Sequence, residues 1–112
     1  QQVDDVRAAP ALVCFSAATR EQSLGLKRFL FRNLYRHPQV MATTARAQQV
    51  VRELFAAYLA QPAQMKPAFA ARAQASDGDS ARARVVADFI AGMTDRYAAS
   101  EHARITGQQL LV

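Results

Sequence analysis

Between Ala47 and Leu59 the chain sets Ala47, Val50, Val51, Leu54, Phe55, Tyr58 and Leu59 at the i, i+3, i+4, i+7 spacing of one helix face. The pattern predicts a helix over 39–60, closed by Gln61-Pro62. A helix with one apolar face must bury it against another element. Nowhere does the sequence show convincing strand alternation, so the partners must also be helices. Composition agrees: alanine dominates the apolar set, and Gly and Pro number four each. With 112 residues, 51% of them hydrophobic, the chain is one domain's worth of foldable sequence.

The remaining segments read as helices of uneven strength. Residues 1–23 form a mixed entry segment, with a turn or two of helix over Val3–Arg7 and an interruption at Pro10. Thr19 or Ser23 opens a helix reaching Arg36, its stripe of Leu26, Phe29, Leu30 and Leu34 expected to be buried. His37-Pro38 ends it, because proline disfavours helical geometry in the residue before it. The short connection to 39–60 predicts an antiparallel helical hairpin. Met65–Gln74 is a weaker helix that tolerates Pro67 only near its first turn. Ser76–Ser80 is a polar turn, with Asp79 or Ser80 as cap of a helix over 81–98. That helix carries Val85, Val86, Phe89, Ile90, Met93 and Tyr97 on a wide apolar arc. Ser100 opens a short terminal helix that Gly107 closes. The expectation is an all-α single domain, a small bundle of about four to five helices.

Charge narrows the partners. Twelve arginines and two lysines give a net charge of +5, compatible with polyanions or with an acidic protein surface. Arg28, Arg32 and Arg36 stand at i, i+4, i+8 with Lys27 alongside. Like charges at that spacing repel by about 0.2–0.5 kcal/mol per pair. The stripe is therefore either a solvated face or a surface for phosphate or an acidic partner. A nucleic-acid surface stays open as an alternative, although aromatic interleaving suited to base stacking is absent.

Chemistry at a metal or nucleophile finds no support. His37, His102 and Cys14 are far apart and form no paired-ligand spacing. His37, at a helix end, is expected to meet terminal carbonyls. Asp77-Gly78-Asp79-Ser80 fails as a calcium loop: Arg82 falls where glycine is required and Asp88 where a bidentate glutamate is needed. The four glycines are isolated, so no phosphate loop is formed. A single cysteine and no membrane-length apolar run point to a cytoplasmic chain. The Gln1-Gln2-Val3 start reads as a piece of something longer. The helix over 84–98 is poor in charged side chains, and Asp88, Gly92 and Asp95 line up on one face. Either this face docks on a missing part, or its charges pair internally, as Arg84 and Asp88 can at i, i+4.

Two stretches together resemble a known family. Leu26-Lys27-Arg28-Phe29-Leu30-Phe31-Arg32-Asn33-Leu34-Tyr35-Arg36-His37-Pro38-Gln39-Val40 is similar to the "LK-FL-N-YRH--V" signature of deoxyguanosine triphosphate triphosphohydrolases. Val86-Ala87-Asp88-Phe89-Ile90-Ala91-Gly92-Met93-Thr94-Asp95-Arg96-Tyr97-Ala98 resembles the same family's "V-DYIAGMTDR-A", with Phe89 in place of the tyrosine. Residues 10–107 are covered. The resemblance implies the C-terminal accessory region of a metal-dependent enzyme of the HD superfamily. That enzyme releases triphosphate from dGTP or other deoxynucleoside triphosphates.

The histidine and aspartate ligands of its magnesium or manganese centre have no counterpart here, so this chain alone is expected to be inactive and to hold no cofactor. The implied partners are its own N-terminal HD domain, further copies of the parent and a deoxynucleotide, with no membrane. The resemblance puts Asp88, Asp95, Arg96 and Tyr97 at the domain junction. It makes Lys27, Arg28, Arg32 and Arg36 candidates for phosphate contact. An oligomerisation module without ligand affinity is the remaining reading.

Overall fold

The computed structural model describes residues 2–111, and among these every regular element is helical. Six α-helices follow one another: α1 Val3–Ala8, α2 Ala17–Leu30, α3 Pro38–Ala60, α4 Pro67–Gln74, α5 Gly78–Ala91 and α6 Asp95–Thr106. A π-helical stretch, Phe31–Tyr35, continues α2, and a 3-10 turn, Pro62–Gln64, precedes α4. The all-α expectation holds.

Helix ends follow local chemistry. α2 starts at Ala17, earlier than Thr19 or Ser23, because the Ser16 hydroxyl accepts the Thr19 amide at 3.2 Å. Its far end widens into the π-turn, where the Arg36 amide reaches back to the Phe31 carbonyl at 3.2 Å. At this end the His37 amide donates to the Leu34 carbonyl at 3.0 Å, while its ring turns the other way: Nδ1 accepts the Gln39 amide at 3.3 Å, capping the start of α3, where Pro38 takes the first helical position. Pro67 likewise opens α4. α5 begins at Gly78, so neither Asp79 nor Ser80 is its cap, and Asp77 at that position makes no side-chain cap bond.

The helix expected over 81–98 is two helices. α5 stops at Ala91, with Gly92 as its C-cap, and Thr94 accepts the Tyr97 amide at 3.2 Å to start α6. Ser100 is therefore inside α6 rather than at its start. Gly107 closes α6 in the left-handed conformation, φ 74°, as the sequence predicts.

The chain divides into two compact units, one ending at Val40 and the other beginning at Met41, just inside the start of α3. Helices α2 and α3 thus fall largely in different units. In the second unit α3 presents Val50, Leu54 and Tyr58, one turn apart and almost wholly buried. Met65, Ala70, Ala73, Val85, Val86 and Phe89 complete the core. α4 packs on α5. The Phe89 ring meets Tyr58 edge-on at 5.2 Å between centroids and Phe69 at 4.9 Å.

The first unit differs. None of its described residues is buried. Leu26, Phe29 and Leu34, expected to form a buried stripe, are at least half exposed, and only Leu30 is partly covered.

Candidate functional site

The basic stripe lies in the first unit. α2 carries Lys27 and Arg28, the π-turn carries Arg32, and Arg36 follows it; all four are exposed. From Gln22 to Val40 the sequence contains no carboxylate, so nothing local neutralises them. Arg28, Arg32 and Arg36 line an open groove of about 410 Å³ together with Phe31. The Arg36 guanidinium lies 4.7 Å from the centre of the Phe31 ring, a cation–π contact that holds it in place. The structure thus brings together three of the four cations that the sequence marked out; Lys27 is not among the lining residues.

The junction candidates are dispersed by the break at Gly92–Thr94. Asp88, on α5, accepts Arg84 Nε at 3.0 Å, the internal pairing that the sequence left open. Asp95 and Arg96 open α6, a separate helix, so Asp88 and Asp95 do not share a helix face. Asp95 and Arg96 rim a groove of about 1070 Å³ within the second unit. Ala47, Val50 and Val51 of α3, Ala99 and Ala103 of α6, and Leu110 and Leu111 give it an apolar lining, with Arg46 on its edge. Tyr97 is half-buried, and Lys66 Nζ lies 5.1 Å from its ring centre.

A polar network between α3 and α6 escaped sequence reasoning. His102, the buried polar residue of the core, pairs through Nε2 with Glu53. The Thr106 hydroxyl donates to the His102 carbonyl at 2.7 Å. One turn along α3, the buried Tyr58 hydroxyl donates to Glu101 Oε2 at 2.6 Å. Arg104 grips Glu101 with Nε at 2.9 Å and Nη2 at 2.8 Å, and reaches the Gln64 carbonyl at 3.2 Å.

These contacts set the electrostatics. Arg104 holds the Glu101 carboxyl below the usual range, against the opposing effect of burial, with Tyr58 adding to the lowering. Hydrogen bonds from Gln49 and then His102 lower Glu53. Burial, reinforced by Glu101, pushes the Tyr58 phenol above its ordinary value. Partners 43 and 49 residues apart leave no local pattern to find. The only prior signal was His102 itself, a polar residue within an otherwise helical apolar register.

Among the described residues no group of three His, Cys, Asp or Glu side chains could hold a metal ion. No helix there is long and apolar enough to cross a membrane.

Residues 13–104 match the phosphohydrolase-associated domain family. The chain belongs to that family. Proteins named deoxyguanosinetriphosphate triphosphohydrolase-like are similar to it along almost its whole length. The one from Bordetella pertussis is 52% identical over 102 residues, 91% of this chain and 25% of that protein. The Ralstonia nicotianae protein is 47% identical over 111 residues, 99% of this chain and 27% of that protein. A relative from Bradyrhizobium diazoefficiens is 43% identical over 106 residues, 94% of this chain and 26% of that protein. The chain thus spans about a quarter of the length of the curated relatives it matches. No solved structure matches it. The phosphohydrolase-associated match contains both the basic stripe and the α5–α6 break, so both belong to the matched domain rather than to its flanks.

Proposed function

We propose that this chain is the C-terminal accessory region of a cytoplasmic, metal-dependent deoxynucleoside triphosphate triphosphohydrolase. In that role it packs on the catalytic HD domain, contributes to contacts between subunits and offers a surface to nucleotide phosphates. The observation that carries the reading is the apolar surface of the first unit. Among the described residues, of the large hydrophobic side chains that stand exposed all but Met41 and Val51 belong to it. An exposed set of that size on one short unit is the mark of a surface made for another protein surface. Relatives about four times as long, named for triphosphate hydrolysis, supply the natural cover. Any catalytic metal would then be held by residues of the remainder.

The test is manganese-dependent release of triphosphate from dGTP. It compares the 112-residue chain with the same chain joined to the rest of the length that the relatives carry. The expected result is release by the longer protein alone. Release by the short chain would overturn the accessory role, and silence in both would overturn the assignment to a triphosphohydrolase.

A further inference from the structure

We propose that the groove between α3 and α6 seats an amphipathic helix from the remaining length of the parent protein, one whose apolar ridge is flanked by carboxylates. The inference rests on the accessory role proposed above and names a second docking face, distinct from the exposed stripe of the first unit. Every residue lining the groove lies beyond Met41, so it belongs wholly to the second unit. Val50 and Val51 of α3, with Leu110 and Leu111, give it bulk, while Ala99 and Ala103 keep the α6 wall low. Among the described residues of this unit, Met41 and Val51 are the large hydrophobic side chains left exposed, and Val51 stands in the groove.

The shape suits a helix. Thr43, Ala47 and Val51 follow at four-residue intervals on α3, as Asp95, Ala99 and Ala103 do on α6. Eight residues of helix rise about 12 Å, so each wall matches a little over two turns of an occupant. Two helical walls with small residues among larger ones accept the ridge of a third helix. Every described regular element is helical, so no strand edge is offered to an extended peptide.

Charge chooses among helices. Arg46, Asp95 and Arg96 stand exposed on the rim, and none makes an ion pair with another described residue. Asp95 lies in the first turn of α6, where the helix dipole already favours its negative charge. Arg96, in the same turn, is disfavoured by that dipole. Arg46 stands in a stretch with no carboxylate between Glu21 and Glu53. Carboxylates beside the occupant's apolar ridge would answer both arginines. A second copy of this chain fits poorly. Its open apolar face, α2 with the π-turn, carries Lys27, Arg28 and Arg32 and no carboxylate after Glu21, so cation would meet cation. The chain spans about a quarter of its relatives' length, so an occupant is available within the same polypeptide.

The experiment is alkylation of single introduced thiols by iodoacetamide, followed peptide by peptide with mass spectrometry. It compares the 112-residue chain with the chain joined to the rest of the length that its relatives carry. Val51→Cys and Ser100→Cys place a thiol on each wall, and Arg52→Cys places one on α3 outside the groove. Circular dichroism checks the helix content of each variant.

All three thiols should react readily in the short chain. In the longer protein those at 51 and 100 should slow by about tenfold or more, and that at 52 by less than about twofold. There, Arg46→Glu or Arg96→Glu should speed the thiol at 51 by about twofold to fivefold, and Arg46→Lys should leave it unchanged. Unchanged rates at 51 and 100 in the longer protein would overturn the inference, and so would equal slowing at 52, as general shielding of α3. Slowing in the short chain that grows with its concentration would overturn it in favour of a second copy. Charge reversals without effect would overturn the acidic flanks. The rates are read without catalysis, so a protein that hydrolyses nothing can still show the cover, and an active one can lack it.

Discussion

The two units carry the same kind of helix to opposite ends. α2 and α3 both space large apolar side chains at helical intervals, and both belong to stretches similar to the triphosphohydrolase-like proteins. On α3 the stripe of Val50, Leu54 and Tyr58 is sealed, and His102 and Glu101 on α6 pin it with polar bonds at its edge. On α2 and its π-turn, Leu26, Phe29 and Leu34 stay open. Amphipathic periodicity thus says that a face will be covered, without saying by which part of a protein. The described residues of the first unit leave their apolar face open, whereas the second unit carries its own core.

The sharpest way to break this contrast is to truncate one residue on each stripe. Leu54→Ala removes a side chain with 0% exposure and should cost about 3 kcal/mol in denaturant unfolding. Phe29→Ala, at 62% exposure, should change stability by no more than about 0.5 kcal/mol in the same chain. Comparable losses would mean that the first unit has a core of its own.

Next in size is the polar seam of the second unit. Tyr58→Phe leaves the ring packed on Phe89 but removes the donor to Glu101, and should cost about 1.5 kcal/mol in thermal or denaturant melts. A neutral result would reduce that bond to decoration of an apolar core.

Two glycines sharpen the comparison further. Gly107 sits at φ 74°, so Gly107→Ala strains the α6 cap and should destabilise by about 1 kcal/mol. Gly25 lies inside α2 with open space around it, so Gly25→Ala should instead raise the helicity of α2 by up to about 1 kcal/mol of local stability. Circular dichroism and amide exchange would read the opposite signs.

The smallest effect is the pH dependence of the seam. Glu101 and Glu53 are lowered below their ordinary value of 4.5, so the stability they contribute is complete above that pH. It is lost as pH falls through their folded-state values. Tyr58 is raised above 10.0, so its contribution is complete below pH 10 and declines as the solution becomes more alkaline. Unfolding midpoints measured across pH should fall at both ends, and Tyr58→Phe should flatten the alkaline limb.

Much of this was legible in residues. Proline and glycine punctuation set the limits of α3 and α4 and the end of α6 closely, because those residues act through local dihedral preference. The α5–α6 break was written in Gly92, Thr94 and Asp95, a C-cap followed by an N-cap and an acidic first turn. It was hidden by the continuous apolar arc from Val85 to Tyr97. That arc is real, but two helices share it by packing on one core. The arginine groove was half legible: spacing gave the row, while the cation–π contact with Phe31 depends on the π-turn, which no local preference announces. The Glu53–His102 pair was not legible, because tertiary packing alone brings those residues together.

Hydrogen exchange of the backbone amides tests the account most directly. The 112-residue chain would be compared with the same chain joined to the remaining length that its relatives carry. Fast exchange is expected over Ala17–Leu30 in the short chain, slow exchange from Val50 through Ala60, and strong protection of Ala17–Leu30 gained in the longer protein. Protection of Ala17–Leu30 already equal to that of α3 in the short chain, or unchanged in the longer one, would contradict it.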